Sequence, residues 1–211
     1  KEAGLFSEAQ IPFSERTKLV AGLRFAHVDA SANDVDVIAG GGGGNMSAND
    51  LYEKYYGIEA EDQTENNVSG LTRLEHKLTH DLTVFSTLSR AVRTADATER
   101  WIASKGSTDW VGNPDIDPEK HHQIDLGLMY HSVAFDLKGS AYYDKVDDFI
   151  QFDTARAQRG VLIYNTASSV YTNIDATIAG VEGEANVRLN DYWRVNLAAA
   201  YTYGQNESDD I

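Results

Sequence analysis

The sequence predicts an all-β fold: about eight antiparallel up-and-down strands that form part of a large transmembrane β-barrel, in a single partial domain over residues 1–211. Two observations carry this prediction. Apolar and polar residues alternate with a period of two over segments of about ten residues, which is long enough for a tilted strand to cross a bilayer. The connections between the segments alternate between short turns and long loops.

Eight segments have this alternation, and it is less strict in the first, third and fourth. In chain order the segments are Leu5–Phe13, Leu19–Phe25, Leu71–Leu78, Leu82–Ala91, Gln123–His131, Val133–Asp144, Val181–Leu189 and Trp193–Tyr203. In the last segment, six apolar residues beginning with Trp193 share one face, while Arg194 and Asn196 lie on the other. The apolar face ends in aromatic residues, as the lipid-facing side of a membrane strand does at the interface.

The predicted connections are sorted by side. Short turns are predicted at Ser14–Arg16, Thr79–Asp81, near Ser132 and at Asn190–Asp191, and long loops at about Ala32–Val68, Thr94–Lys120 and Asp153–Tyr171. Outer-membrane barrels have short periplasmic turns and long extracellular loops, whereas a soluble sandwich has no reason to sort its loops. Both ends of the chain then lie on the long-loop side. We therefore expect an internal segment of a larger barrel, with two strand edges left unpaired.

The composition excludes several kinds of site. Lys and Arg number 18 against 33 Asp and Glu, so the net charge is -15, which argues against a nucleic-acid partner. The charge favours cationic ligands only weakly, because acidic surfaces also keep proteins soluble. The chain has no cysteine and therefore provides neither a disulfide nor a thiolate metal site. No G-x-S-x-G elbow singles out a nucleophile, so we predict neither enzyme activity nor a catalytic residue.

The first long loop combines a glycine run with many acidic residues. Gly40–Gly44 cannot hold a fixed conformation by itself and lacks the Lys-Ser/Thr ending of a phosphate-binding loop. The acidic residues that follow it are Asp50, Glu53, Glu59, Glu61, Asp62 and Glu65. The simplest prediction is a solvated, mobile loop. The alternative hypothesis is that these residues collect cations at the barrel mouth by focusing a negative field.

Four motifs resemble segments of the TonB-dependent outer-membrane receptors, and they occur in that family's order. They are LSRAVRTADATER at Leu88–Arg100, GNPDIDPEKHHQIDLGL at Gly112–Leu128, VDDFI at Val146–Ile150 and VEGE at Val181–Glu184. The first two are most similar to the TonB-dependent copper receptors. In the second motif, each proline forces the residue before it into an extended conformation. The chain can then descend to the barrel rim without pairing early.

The resemblance implies a receptor in the outer membrane of a Gram-negative cell. It would be surrounded by outer-membrane lipid, and it would bind the TonB complex through a plug region outside this chain. Its ligand would be a copper ion or a metal chelate that is transported and not bound permanently as a cofactor. A siderophore or a cobalamin-like ligand is the alternative within the family. A passive porin or an adhesive surface barrel is the alternative of another class.

Five residues are candidate metal ligands on their chemistry alone. Met129 and His131 lie on one predicted strand face, and a thioether with an imidazole suits copper. His121 and His122 are adjacent, so on a strand they point to opposite faces and cannot easily chelate one ion. Met46 lies in the glycine-rich loop. The family's copper ligands are Cys, Met and His residues in the plug and in an earlier barrel segment, and no position here matches them.

Overall fold

The computed structural model describes residues 1–38, 46–156 and 158–208, which form one ten-stranded sheet and two short helices. The strands are β1 (Glu2–Pro12), β2 (Thr17–Ala30), β3 (Gln63–Lys77), β4 (Leu82–Arg93), β5 (Ala103–Ser104), β6 (Trp110–Val111), β7 (Glu119–His131), β8 (Phe135–Ala155), β9 (Asn165–Arg188) and β10 (Arg194–Asn206). The helices are α1 (Ala48–Tyr56) and α2 (Ala97–Trp101). Within these ranges, neither helix has the length and hydropathy of a membrane-spanning helix.

The eight long strands pair as antiparallel neighbours in chain order, β1-β2-β3-β4-β7-β8-β9-β10. All eight predicted strands and their up-and-down order are therefore confirmed. The predicted ends of two long loops are wrong, because β3 begins at Gln63 and β9 begins at Asn165, inside the segments predicted as loops. The sheet is open across the described residues, with β1 and β10 as the outermost of the eight long strands. The two-residue strands β5 and β6 lie in the second long loop, and no alternation in the sequence predicts them.

The register gives the sheet one apolar face and one polar face, because cross-strand neighbours point to the same side. One row of neighbours across five strands is apolar: Leu82, Tyr130, Leu137, Ala185 and Leu197. The adjacent row on the other face is polar: His131, Asp136, Asn186 and Asn196. The alternation predicted strand by strand thus continues across the whole sheet. We call the sheet of the eight long strands the wall. The wall excludes the parts of β8 and β9 that extend beyond the other strands at the long-loop end, which we describe as the upper end.

All four short turns of the wall are closed by a side-chain oxygen in the turn. Ser14 Oγ accepts hydrogen bonds from the amides of Arg16 and Thr17, at 3.2 and 3.1 Å. Equivalent pairs of amide hydrogen bonds reach Thr79 Oγ1, Ser132 Oγ and Asn190 Oδ1. Ser, Thr and Asn favour turns because their side chains can satisfy backbone amides in this way. The predicted turns are thus confirmed, and their sequences explain them.

Two glycines on the polar face make room for aromatic rings from the adjacent strands. A Cβ at Gly127 would lie 2.3 Å from Phe85 Cζ, and a Cβ at Gly180 would lie 2.6 Å from Tyr142 Cζ. The guanidinium of Arg73 stacks on the Phe85 ring at 3.7 Å from its centroid. Glycine within a strand often marks such a close approach. Here it lets the rings lie flat on the polar face.

Two strands extend well beyond the others at the long-loop end. β8 has 21 residues and β9 has 24, which corresponds to roughly 80 Å of extended chain for β9. A β-bulge between Val146 and Phe149 interrupts their pairing, and Asp148 in it has a φ of 61°. Above the level where β10 ends, β6 pairs in parallel with β9 at Ser169–Val170. The long loops therefore build structure on this projecting hairpin.

Candidate functional site

The long-loop end of the chain carries a compact cap on the wall. We define the cap as α1, α2, β5, β6 and the parts of β8 and β9 above the bulge. Its main core takes residues from all three long loops: Leu51, Tyr52, Tyr55, Val111, Ala155 and Val170. Each of these side chains is at most 2% exposed. The cap therefore has a water-excluding core of its own at the long-loop end of the sheet.

Helix α1 is well specified at both ends. Ser47 accepts a hydrogen bond from the Asp50 amide, and Asp50 accepts one from the Ser47 amide, which is a capping box. Gly57 ends the helix in the left-handed conformation with a φ of 74°. The prediction of a solvated, mobile loop is therefore wrong for Ala48–Tyr56. Gly40–Gly44, the glycine run of that prediction, lies outside the described residues.

Two tyrosines of α1, the buried Tyr52 and the partly buried Tyr56, are tied to another loop by their hydroxyl groups. The Tyr52 hydroxyl donates to the carbonyl oxygen of Trp101 at 2.6 Å, and the Tyr56 hydroxyl donates to that of Val111 at 3.1 Å. Burial raises the pKa of Tyr52 to about 12, so the hydroxyl stays protonated and can donate. Each ring thus fills the core while its polar end is satisfied.

A buried polar network centres on Asp109. Lys54 Nζ and the Tyr55 hydroxyl both donate to Asp109 Oδ2, at 2.8 and 2.9 Å. The Tyr55 hydroxyl is also 2.7 Å from Ser168 Oγ, so one network joins all three long loops. Burial alone would raise the pKa of Asp109, but the hydrogen bonds from Lys54 and Tyr55 lower it below its ordinary value. Asp109 therefore stays ionised where it is buried.

A chain of ion pairs attaches α2 to the wall. The Arg93 guanidinium donates to Glu99, the N3 residue of α2, and to Glu119, the first residue of β7, at 2.7–2.9 Å. Glu119 also accepts a hydrogen bond from the Ile150 amide just above the bulge, at 2.8 Å. Burial would raise the pKa of Glu119, but its hydrogen bonds with Arg93, His121 and Ile150 lower it to about 2. Arg100 of α2 pairs with Glu65 of β3.

These anchors explain much of the first two family-like motifs. Arg93, Glu99 and Arg100 belong to the first motif, and Glu119 belongs to the second. Neither the roles of these residues nor the two helices were predicted from the sequence. One signal was available, because Asp96 and Glu99 have the spacing of a capping box and form one around the start of α2. The partners of Arg93 and Arg100 across the fold have no comparable local signal.

The structure places His121 at the junction between cap and wall. Its Nδ1 is 2.7 Å from Asp144 Oδ2, and its Nε2 is 3.4 Å from Glu119 Oε2. Along β7, His121 is nearer to the long-loop end than Ile124, which is the first aliphatic residue of the apolar face from that end. The hydrogen bond with Glu119 raises the pKa of His121. Burial alone would lower this pKa, but the second hydrogen bond, with Asp144, also raises it, and the net result is a pKa of about 9. A protonated imidazole offers no lone pair to a metal.

The other candidate ligands lie apart from His121. His122 is on the opposite face of β7, as predicted, with Nε2 3.5 Å from Asp147 Oδ2. Met129 and His131 share the polar face near the short turns, roughly 30 Å along β7 from His121. His131 pairs with Asp136 across the hairpin. Met46 packs against the core of the cap.

In the described part of the chain, no group of three or more His, Cys, Asp or Glu side chains is arranged to hold a metal ion. Three of the six acidic residues of the first long loop form hydrogen bonds or ion pairs within the fold. Asp50 caps α1, Glu65 pairs with Arg100, and Asp62 accepts a hydrogen bond from the Ala32 amide. Glu53, Glu59 and Glu61 are exposed. The candidate site is therefore a packed, partly acidic cap and not a set of converging ligands.

Comparison with known families decides what kind of wall this is. The family model described as TonB dependent receptor-like, beta-barrel matches residues 1–211. The chain belongs to the TonB-dependent receptor β-barrel family. The chain also resembles solved structures, and the matches to them cover nearly the whole length of this chain. A search of curated proteins finds no match.

Three of the solved structures illustrate the resemblance. The copper transporter OprC is 30% identical with a TM-score of 0.76, over 99% of this chain and 30% of that one. The hemophore receptor HasR of Serratia marcescens, solved with its hemophore HasA and heme, is 17% identical with a TM-score of 0.71, over 97% and 34%. The ferric yersiniabactin uptake receptor FyuA of Yersinia pestis is 16% identical with a TM-score of 0.64, over 99% and 27%. This receptor segment thus spans about a third or less of their lengths.

Proposed function

We propose that this chain is part of a receptor in the outer membrane of a Gram-negative cell that takes up copper, or a copper complex, by TonB-dependent active transport. The observation that carries the choice of copper is the 30% identity to the copper transporter OprC over 99% of this chain. HasR and FyuA are only 16–17% identical and support the fold alone. The copper-receptor motifs at Leu88–Arg100 and Gly112–Leu128 favour the same choice.

Within that receptor, we propose that this segment supplies wall and mouth but not the primary copper ligands. Tight capture of copper needs thiolate, thioether or imidazole groups that converge on one point. His121 is engaged with two carboxylates, and Met129 and His131 lie at the other end of β7. The segment has no cysteine. Copper would then be cargo held by residues outside this chain, and no cofactor would be bound permanently.

The surroundings of the segment follow from the same proposal. The apolar face of the wall would contact outer-membrane lipid, since many of its large side chains are exposed, for example Leu126 at 58% and Leu197 at 61%. The TonB complex would bind through a plug region outside this chain. The cap would form part of the extracellular mouth, where the exposed Glu53, Glu59 and Glu61 raise the local concentration of cations.

Copper uptake by cells tests the proposed function. Cells that produce the full-length receptor should accumulate copper faster than cells without it, and deletion of TonB or collapse of the proton gradient should abolish the difference. Uptake that survives the loss of TonB would contradict active transport and favour a passive porin. Uptake of a ferric siderophore or of a cobalamin without any copper uptake would contradict the choice of copper and leave the receptor class intact.

A further inference from the structure

We propose that the cap is one rigid body fixed to the wall, and that it stays assembled during uptake and does not close over the cargo as a lid. That the protein takes up cargo rests on the function proposed above, whereas the rigidity of the cap rests on contacts within this chain. Segments that open and close come from the least stable parts of a protein, with few buried apolar contacts and exposed backbone hydrogen bonds. The cap has the opposite properties.

Every pair of long loops in the cap is joined directly. The first and second loops are joined by the hydroxyl groups of Tyr52 and Tyr56 on carbonyl oxygens of the second. The first and third are joined by the Leu162 amide, which donates to the Tyr55 carbonyl oxygen at 2.8 Å. The second and third are joined by the Ser169 amide, which donates to the Asp109 carbonyl oxygen at 2.9 Å. Among the described residues, none of the three linked segments can move without breaking contacts with both others.

The cap is also fixed to the wall at separate points, so it cannot swing as a unit about one hinge. Arg100 of α2 pairs with Glu65 of β3, and Arg93 links α2 to the start of β7. The main chain at Gly112, after β6, also packs closely against α2. A Cβ at Gly112 would lie 2.8 Å from the carbonyl carbon of Arg100. The hairpin of β8 and β9 adds a third, continuous connection to the wall.

The core of the cap makes these contacts costly to break. Tyr52 and Tyr55 are 0% exposed, and Val111 and Val170, from the two other loops, are also 0% exposed. Opening the cap would expose these side chains to water together with the buried carboxylate of Asp109. We therefore expect cargo to reach the barrel past a preformed mouth, and any conformational change on binding to occur outside this cap.

A disulfide staple in the full-length receptor tests this. Trp110 and Ser169 are neighbours between β6 and β9, so Trp110→Cys with Ser169→Cys would join the second loop to the third. Trp110 and Ser104 are neighbours within the second loop, so Trp110→Cys with Ser104→Cys is the matched control. Both variants carry the same number of added thiols, so capture of copper by free thiols affects them alike. A non-reducing gel confirms closure of each staple.

If the cap is rigid, oxidation of the Trp110–Ser169 staple changes the copper uptake rate by less than about twofold, as it does in the control. Uptake that falls about tenfold on oxidation, is restored by a reductant and is unaffected in the control would overturn the proposal. A wild-type receptor that takes up no copper would instead contradict the proposed function.

Hydrogen exchange tests rigidity independently of transport and of staple formation. In the purified full-length receptor, the amides of Leu162 and Ser169 should exchange slowly without cargo, at rates that copper ion leaves unchanged. Rapid exchange of both amides in the copper-free receptor would show a mobile cap and overturn the proposal, whether or not the protein transports copper. Amides of the inner wall strands, such as that of Leu128 in β7, which pairs with β4 on one side and β8 on the other, provide an internal reference for strands held in the barrel.

Discussion

The wall and the cap of this chain are stabilised in different ways. The wall is a single layer whose large apolar residues remain exposed, as Leu197 does at 61%, so its apolar face needs surroundings that the chain does not supply. In the cap, Tyr52 and Tyr55 are completely buried, and the hydroxyl of each is hydrogen-bonded. The wall is specified mainly by backbone pairing and alternation, whereas the cap is specified by side-chain packing between distant segments. The comparison predicts that the two regions respond to different substitutions.

The largest effect is expected from a charge on the apolar face of the wall. In the full-length receptor, Leu197→Arg should cost roughly 2–4 kcal/mol if the residue lies near the bilayer midplane. Asn196→Arg, one residue away on the polar face, should cost much less because its side chain points into the barrel. The folded fraction of each variant can be measured by heat modifiability on a gel. Equal losses for the two variants would show that the face assignment is wrong.

A similar loss is expected where the wall has no space for a side chain. Gly127→Ala should cost about 1–3 kcal/mol, because its Cβ would overlap both the Phe85 ring and, at 2.7 Å, the Gly139 carbonyl oxygen. Gly139→Ala is the matched control, since its Cβ would lie 3.8 Å from the Glu182 carbonyl oxygen, an ordinary contact distance. Urea unfolding of the refolded receptor compares the two. If Gly139→Ala is the more damaging, the contact across β4 and β7 is misplaced.

A substitution in the cap should loosen the cap without affecting the wall. Asp109→Ala leaves the Tyr55 hydroxyl and Lys54 without their shared acceptor and should destabilise the cap by about 1–3 kcal/mol. The barrel should still assemble, while the second long loop becomes sensitive to protease. Lys145→Ala, which removes an exposed ion pair with Asp147, should leave the digestion pattern unchanged. A loss of barrel assembly in Asp109→Ala would contradict the independence of the two regions.

The junction between cap and wall should depend on pH in two directions. The pKa of His121 is raised from 6.5 to about 9, so its contribution is fully present below pH 6.5 and is lost as the pH rises through 9. The pKa of Glu119 is lowered from 4.5 to about 2, so its contribution is present above pH 4.5 and is lost as the pH falls toward 2. Exchange of the Ile150 amide should therefore be slowest, after correction for intrinsic rates, between about pH 4.5 and 6.5.

Five groups make up this junction: His121 faces Glu119 and Asp144, and Glu119 pairs with Arg93, which also pairs with Glu99. Substituting His121→Gln should remove the alkaline part of the pH dependence and leave the acidic part. An alkaline loss of protection that persists in this variant would mean that another group titrates there.

The sequence predicted the wall well and the cap poorly, for a physical reason. A strand needs only alternation over about ten residues, and its turns need a local Ser, Thr or Asn, so all eight strands and four turns could be found. The cap depends on pairs that are far apart in sequence, such as Tyr55 with Ser168 and Tyr56 with Tyr171. Nothing near Tyr55 indicates its partner. The acidic composition of the first loop suggested solvation, although Asp50 and Glu65 serve structural roles.

The candidate ligands show the same limit. That His121 and His122 point to opposite faces follows from strand geometry alone. The engagement of His121 with Glu119 and Asp144 could not be predicted, because Asp144 comes from another strand, in register with Gln123.

Copper affinity in the purified full-length receptor tests most directly whether this segment supplies wall and mouth without the primary ligands. Stoichiometry and affinity would be compared for the wild type and for Met129→Leu, His131→Ala and His121→Ala, with Asn196→Ala as a control on the polar face. We predict that all four variants bind copper with the stoichiometry and the high affinity of the wild type. Loss of high-affinity binding in any of the first three, with a folded barrel, would place the primary site in this segment and contradict the account.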